Sequence, residues 1–268
     1  MDNNKFIKNL NSIIGEPNTL IADWNKQPFL KGWRYGEGDA IAVAKPGTLF
    51  ELWQVLQLCV DMDIIVIMQA ANTGLTGGST PYGYDYDRPI LIINTMRLSD
   101  IQIIDKGKQI IGFSGSTLFN LEDKLKSYGR EPHSIIGSSC IGASIIGGVC
   151  NNSGGALVKR GPAYTELSLY AKIDSKGKLI LVNELGVHLG NTPKEILTNL
   201  QDSNYRQSDI QYSSKLASDN KYQERIRDVN ASTPGRYNAD SRRLYGASGC
   251  AGKISVFAVR LDTYPISK

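Results

Sequence analysis

Apolar residues in the first part of the chain recur at helical spacing and then in short continuous runs. Residues 40–44, AIAVA, predict a strand. Thr48, with Glu51 three positions later, predicts a capping box that opens a helix over about 49–62. The apolar run at 64–70 predicts a strand covered on both faces. A strand, a helix and a second strand in this order form a unit whose two strands are most simply parallel.

The same kinds of pattern continue towards the end of the chain. Two pairs of apolar runs, each joined by a short turn of Lys and Gly or Ser, predict hairpins at 101–114 and 166–184. Further predicted elements are a helix over 6–14, a strand at 90–95, a helix from Ser116 or Thr117 to about 128, a helix over 192–200 and a closing strand of alternating character within 253–264. Residues 201–243 are rich in charged residues, Asn and Ser, and predict an irregular or helical surface segment rather than a third core. Together these elements predict an α+β or α/β fold.

A glycine-rich loop, within VIMQAANTGLTGGSTP at 66–81, follows the second predicted strand. Glycines allow backbone to approach a ligand closely, and consecutive peptide N–H groups in such turns form a concave site for anionic oxygens. The loop lies at the C-terminal end of its strand, where open α/β sheets hold their ligands. A phosphate group is the natural guest, although Gly/Ser/Thr loops are also ordinary connectors.

A second cluster, at 129–162, holds eight glycines with small residues between them. A run of this length favours backbone lying against an extended ligand, such as a dinucleotide with its flavin ring. Close packing of a helix over about 141–150 against a sheet is the structural alternative, and the two interpretations are compatible. The GxGxxG fingerprint of nicotinamide-binding Rossmann folds is absent, which counts against that class.

Composition narrows the picture further. The 268 residues carry a net charge of +4 without a long basic run, so nucleic-acid binding has little support. The four cysteines form no CxxC pair and predict buried thiols in a reducing compartment, and two histidines in no ligand spacing make a metal site improbable. Neither a secretory signal nor a run long enough to span a membrane is visible, so the sequence predicts a soluble cytoplasmic protein.

Taken in order, several blocks of the chain resemble a known family. They are a strand ending in Lys45-Pro46-Gly47, AANTGLTGGSTP, GREPHSIIGSSCIGASIIGGVCNNSGG, RGPAYTE and SGCAGKISVFAVRLDT. The sequence resembles the N-terminal FAD-binding domain of the bacterial respiratory, quinone-dependent D-lactate dehydrogenases. More broadly it is similar to the FAD-binding fold shared by vanillyl-alcohol oxidase and p-cresol methylhydroxylase. The resemblance covers about 30–268.

The resemblance implies a single FAD-binding domain over 1–268, with FAD between two α+β lobes at about 1–95 and 96–268. By their match to the family motifs, the expected cofactor contacts are Ala70, Ala71, Asn72, Thr73, Gly74, Gly78, Ser79, Gly137, Ser144, Gly154 and Val256. The glycine loop holds no histidine, so the resemblance implies non-covalent FAD. Family members are roughly twice as long, so their substrate-binding cap and membrane-binding region are expected to be absent from this chain.

In the full enzyme the resemblance implies oxidation of D-lactate to pyruvate, with electrons passing to membrane quinone on the cytoplasmic side of the bacterial inner membrane. The family places its base and carboxylate-binding cation mainly on the cap, so these residues alone are expected to be soluble and not to turn over lactate. We nominate no catalytic residue: His133 is expected to be a hydrogen-bonded structural histidine and His188 a solvated one, while Arg130 and Arg160 could face either phosphate or solvent. Two other hypotheses stay open, a non-catalytic nucleotide-binding module and a flavoenzyme for another 2-hydroxy acid.

Overall fold

A computed structural model describes residues 2–133, 139–154, 158–212, 214–234, 244–250 and 252–266. The α-helices in these residues are α1 (Asn3–Ile14), α2 (Asp23–Leu30), α3 (Leu49–Asp61), α4 (Leu118–Lys126), α5 (Ile145–Cys150), α6 (Pro193–Gln201) and α7 (Tyr222–Arg227). The strands are β1 (Thr19–Leu20), β2 (Ala42–Ala44), β3 (Ile65–Gln69), β4 (Ile90–Asn94), β5 (Ile101–Ile104), β6 (Gln109–Phe113), β7 (Arg130–Glu131), β8 (Ser168–Ile173), β9 (Leu179–Asn183), β10 (Ser255–Asp262) and β11 (Tyr264–Pro265). The predicted helices and strands are therefore present, with bounds that differ by a few residues.

Two compact units divide the chain. Unit 1 contains the described residues up to Leu98, together with Ala171–Leu181 and Leu189–Tyr205. Unit 2 contains Ser99–Tyr170, Val182–His188 and the described residues from Arg206 onwards. Each unit thus contains segments from separate parts of the sequence.

Unit 1 is built on a four-stranded sheet in the order β1-β2-β4-β3. β2 and β3 both run parallel to β4, which confirms the parallel strand–helix–strand unit. The two strands of that unit are not neighbours, because β4 lies between them. β4 is buried along its whole length, whereas β3 is an edge strand and mostly half-buried. The prediction that 64–70 is covered on both faces is therefore wrong, because most residues of β3 keep part of their surface exposed.

The start of α3 shows how local sequence fixes an element. The Thr48 hydroxyl accepts a hydrogen bond from the Glu51 N–H at 3.0 Å, as an N-cap should. The Glu51 carboxylate accepts instead from the Gly47 N–H at 2.6 Å, so the reciprocal half of the predicted capping box is displaced by one residue. The acidic side chain still lies at the positive end of the helix.

A five-stranded sheet follows the order β5-β6-β10-β8-β9. β5 and β6 form the predicted antiparallel hairpin. Backbone hydrogen bonds from Glu184 to Ser168 and from Asp174 to Lys178 connect the two ends of the second hairpin. β10 pairs antiparallel with β6 and is buried along nearly its whole length, so the alternating character predicted for the closing strand is wrong. Side chains on both faces of β10 are therefore covered.

The polar segment that follows α6 is irregular where it is described. Its described residues include a 3₁₀ turn at Gln207–Asp209 and the short helix α7. Among the described residues, no helix is both long enough and apolar enough to cross a bilayer. The same residues contain no cluster of three or more side chains suited to holding a metal ion.

Candidate cofactor-binding site

Buried amide side chains hold the base of the glycine loop at the end of β3. Gln69 is the last residue of the strand, and its Nε2 donates to the carbonyl oxygens of Phe29 at 2.9 Å and Ser79 at 2.8 Å. Asn94, at the end of the neighbouring β4, donates from Nδ2 to Gln69 Oε1 and to the Ala70 carbonyl, both at 3.1 Å. The two ends of the loop are therefore joined by side chains that are themselves fully bonded and buried.

The expected cofactor contact Asn72 shapes the loop. Its backbone adopts a left-handed φ of 53°, which asparagine tolerates better than most residues. Its Nδ2 donates to the Lys31 carbonyl, and its Oδ1 accepts from the Ser79 hydroxyl, each at 2.8 Å. Within the described part of the chain, the backbone N–H groups of 73–79 donate to no other group. A rigidly held turn with unused, partly exposed N–H groups matches an anion site.

The described glycines fall into two groups according to their φ angle and to the atoms that an added Cβ would meet. Most of the described ones have a positive φ or lie against another atom closely enough to explain the glycine. The described glycines that combine an ordinary φ with open space at the Cβ position are Gly74, Gly78 and Gly154. The polypeptide itself gives no reason for glycine at these positions. All three are expected cofactor contacts, and a ligand lying against the backbone is the physical reason that remains.

The second glycine cluster combines packing with exposure. Ser144 is the N-cap of α5, and its hydroxyl accepts from the Gly147 N–H at 3.1 Å. A Cβ at Gly147 would lie 2.6 Å from that hydroxyl oxygen, so this glycine serves the cap. α5 buries most of its residues, and its buried apolar side chains belong to one core cluster with those of β10. The packing interpretation therefore holds for α5, while the exposed Gly154 beyond it remains suited to ligand contact.

The remaining expected contacts differ in what they offer. Ala70, Ala71 and Thr73 lie half-buried in the loop after β3. Val256 lies in β10 with only 5% of its surface exposed and packs in the core cluster of unit 2. Gly137 lies outside the described residues. The loop residues and the second group thus fall in different units of the chain, seven of them in unit 1.

His133 is buried, with 5% of its surface exposed. Neither ring nitrogen has a hydrogen-bond partner among the described residues, so the expected hydrogen-bonded histidine is not what the structure shows. Burial, together with the nearby positive charge of Arg160, lowers the pKa of His133 to about 4. The imidazole is therefore neutral at physiological pH. His188 is exposed, as predicted.

The two arginines that flank the cluster are held by protein groups. Arg160 forms an ion pair with Glu131, donates to the Pro132 carbonyl at 2.8 Å and lies 4.2 Å above the centre of the Tyr264 ring. Arg130 donates to the hydroxyl and the carbonyl oxygen of Thr263 at 2.5 and 2.6 Å. Both guanidinium groups bond to protein groups of unit 2, so neither is free to bind a phosphate.

Sequence reasoning missed the amides that hold the glycine loop. Gln69 and Asn94 follow apolar runs of neighbouring parallel strands, where polar side chains mark the carboxyl edge of a sheet. That pattern is visible in the sequence only once the two strands are known to be neighbours.

Comparison with known proteins agrees with this geometry. A family model described as "FAD binding domain" matches residues 40–182, more than half of the chain. The chain belongs to the FAD-binding domain family. FAD is therefore its cofactor, and the open glycines, the unused N–H groups of the loop and its small side chains fit the pyrophosphate of that cofactor.

Similar proteins extend over the whole chain. The quinone-dependent D-lactate dehydrogenase of Escherichia coli (strain K12) is 54% identical over 267 residues, which is 100% of this chain and 47% of that protein. The protein of the same name from Haemophilus influenzae is 55% identical over 264 residues, 98% of this chain and 47% of that protein. The chain thus spans about half the length of these relatives.

Solved structures confirm the predicted fold. p-Cresol methylhydroxylase with substrate bound has a TM-score of 0.61 at 14% identity, covering 98% of this chain and 43% of that one. An alkyldihydroxyacetonephosphate synthase has a TM-score of 0.66 at 10% identity, covering 100% of this chain and 41% of that one. The fold is the α+β FAD-binding fold of the vanillyl-alcohol oxidase and p-cresol methylhydroxylase type.

Proposed function

We propose that this chain is the FAD-binding part of a quinone-dependent D-lactate dehydrogenase. The whole protein would oxidise D-lactate to pyruvate and pass the electrons to a membrane quinone. One observation carries the cofactor assignment. The three described glycines that have an ordinary φ and open space at the Cβ position are all among the residues expected to contact FAD. Support for the substrate and the electron acceptor comes from the names of the relatives at 54% and 55% identity.

The residues proposed to hold FAD divide by the chemistry they offer. In the loop after β3 the backbone of Ala70–Gly74, with Gly78 and Ser79, donates N–H groups to the pyrophosphate and lets it approach closely. Gly137, Ser144, Gly154 and Val256 supply further contacts to the same cofactor. The loop holds no histidine or other nucleophile suited to a flavin bond, so the cofactor is bound without a covalent link.

When bound, FAD would supply the two-electron redox chemistry that links oxidation of a 2-hydroxy acid to reduction of a quinone. The work of this chain is to bind and orient. Gln69 and Asn94 fix the base of the loop, and Asn72 fixes its turn, so the N–H donors are in place before the cofactor arrives. Preorganised donors avoid the entropy cost of ordering a loop on binding.

Cofactor identification tests the first part of the proposal. Protein purified without added flavin, or mixed with FAD and desalted, is expected to show flavin absorption bands and to release FAD on heat denaturation. Uptake of FMN in preference to FAD would contradict the role given to the pyrophosphate site. A colourless protein that takes up no flavin would overturn the whole assignment.

Substrate specificity is tested in a protein that also carries the second half found in the relatives. D-lactate, but not L-lactate, is expected to bleach the flavin absorption anaerobically, and a water-soluble quinone is expected to restore it. Bleaching by another 2-hydroxy acid alone would retain the flavoenzyme and replace the substrate. We also propose a peripheral position on the cytoplasmic side of the inner membrane, which cell fractionation and release by salt or mild detergent would test.

A further inference from the structure

The end of α5 lies beside a turn that is a hundred residues away in the sequence. The Val149 carbonyl accepts a hydrogen bond from the Gly249 N–H at 3.2 Å. Cys150 and Cys250 directly follow these two residues. The backbone contact therefore brings the two cysteines side by side.

Close contacts around Gly249 hold the end of α5 and the segment that contains Cys250 together. Gly249 has a φ of +67°, and a Cβ there would lie 2.6 Å from both Asn152 Nδ2 and Leu244 Cδ2. On its own side, the Cys250 N–H donates to the Ala247 carbonyl at 3.2 Å. The close packing of Asn152 over Gly249 fixes the separation of the two chains.

The two thiols interact directly. The side chains of Cys150 and Cys250 lie close enough for each to shift the pKa of the other, and both pack against the same apolar core cluster. Each cysteine is a free thiol with part of its surface exposed. A small oxidant therefore has access to two neighbouring thiols.

The environment makes the two sulfurs unequal. The hydrogen bond from Cys150 and a further one from the Gly252 N–H lower the pKa of Cys250 to about 7. The pKa of Cys150 is raised by its interaction with Cys250 and by burial. Cys250 is thus the more acidic of the two thiols, and its thiolate is the nucleophile.

We propose that Cys150 and Cys250 form a peroxide-reactive dithiol that closes to a disulfide. The Cys250 thiolate attacks one oxygen of hydrogen peroxide: an S–O bond forms, the O–O bond breaks, and hydroxide leaves and is protonated to water. Cys150 then attacks the resulting sulfenic acid: the S–S bond forms, the S–O bond breaks, and the Cys150 proton leaves with the hydroxyl group as a second water. Two electrons pass from the sulfurs to the peroxide.

A disulfide between Cys150 and Cys250 would link two separate segments of unit 2. α5 is capped by Ser144 and ends at Cys150, while Cys250 precedes the strand that carries Val256. A disulfide would join the helix and the approach to β10 by a covalent link across about a hundred residues of chain. The inference stands independently of the substrate of the protein.

Peptide mapping tests the proposal. The purified 268-residue protein is treated with a small excess of hydrogen peroxide, alkylated and digested with trypsin without reduction. A Cys140→Ser background is used, because Cys140 is exposed and shares the tryptic peptide 131–159 with Cys150. We expect peptides 131–159 and 244–253 to be linked, with a loss of about 2 Da that dithiothreitol reverses. Overoxidised but unlinked peptides, or thiols that remain free, would overturn the proposal.

Single variants test the roles of the two sulfurs. Cys150→Ser should leave a Cys250 sulfenic acid that dimedone traps, whereas Cys250→Ser should slow peroxide consumption at least tenfold. In the parent protein the rate should rise as the pH increases through about 7, where the Cys250 thiolate forms. Equal rates for the parent and Cys250→Ser would contradict the assignment. Linkage in the parent protein remains decisive if either variant folds poorly.

Discussion

The two glycine-rich regions of this chain look alike in sequence and differ in what their glycines do. In the loop after β3, Gly74 and Gly78 meet no protein atom at the Cβ position, and the neighbouring N–H groups are unused among the described residues. In α5, Gly147 makes room for the Ser144 hydroxyl that caps the helix. One region leaves its backbone open, as the proposed cofactor site requires, and the other uses glycine to pack protein against protein.

This difference teaches that glycine content alone does not locate a ligand. A glycine is informative when its dihedral angles are ordinary and its surroundings are empty, because a larger residue would then cost the polypeptide little. By that criterion Gly154 belongs with the loop of unit 1, although it lies just after the packed helix in sequence. The predictions below test this division.

The largest effect is expected from Gly78→Val. The added side chain would occupy the space where the pyrophosphate approaches the backbone and remove charge-assisted hydrogen bonds. We expect FAD affinity to fall about a hundredfold, or about 2.7 kcal/mol, while the unfolding of the FAD-free protein stays unchanged. Flavin titration and urea unfolding measure the two quantities. Thr76→Val, in the same exposed loop, is the size-matched control, and an equal loss of affinity there would contradict the specific role of Gly78.

The buried histidine gives the next largest effect. His133 has a pKa of about 4 in the folded protein against an ordinary value of 6.5, so the folded state favours the neutral form. Stability is complete above about pH 6.5 and is lost as the pH falls towards 4, because the unfolded chain binds the proton first. We expect the protein to lose about 2 kcal/mol more between pH 7 and pH 5 than His133→Leu does.

Urea unfolding at both pH values measures this loss. His188→Leu is the matched control, because that histidine is exposed. It should retain the pH dependence of the parent protein. A His133→Leu variant with unchanged pH dependence would show that the buried imidazole is not the group responsible.

A smaller effect on stability should separate packing from binding in the second cluster. Gly147→Ala places a Cβ 2.6 Å from the Ser144 hydroxyl oxygen and breaks the N-cap. We expect a loss of about 1 kcal/mol in the free energy of unfolding of the FAD-free protein. Gly148→Ala is the control, since its Cβ would make an ordinary 3.8 Å contact with Ala163. A Gly147→Ala protein as stable as the control would show that the cap contributes little.

The smallest expected change concerns Gly154→Ala. A single methyl group on exposed backbone should weaken FAD binding about fourfold, or about 0.8 kcal/mol, and leave the unfolding of the FAD-free protein unaltered. Flavin titration is again the measurement. Unchanged affinity would assign Gly154 to an ordinary surface turn and restrict the open-glycine criterion to unit 1.

Most individual elements were predictable because their signals are local. The N-caps at Thr48 and Thr192 depend on residues within one turn of helix, and hairpins such as β5–β6 depend on a short turn between two apolar runs. The burial of β3 and β10 was not predictable in this way. It depends on the strand order and on what packs against the faces of each sheet, and both involve partners far away in the chain.

The cofactor loop shows the same limit at the scale of single side chains. Its glycines and small polar residues were visible in the sequence, and the family resemblance supplied the cofactor-binding role that we propose for them. The amides that fix it come from β3 and β4, and their contact depends on β4 lying beside β3. The lack of hydrogen bonds to the His133 ring could not be predicted from the sequence either. Whether a ring nitrogen has a partner depends on residues that are neighbours only in space.

The sequence by itself determined the α+β elements, the position of the glycine loop and, through several motifs in order, the FAD-binding family. These signals lie within short windows or in a fixed series of motifs along the chain. Only the tertiary structure decided which glycines are left open for a ligand, that β4 separates β2 from β3, and that Cys150 lies against Cys250. These features depend on groups separated by tens to a hundred residues, whose contact is fixed only when the core packs and the sheets acquire their strand order.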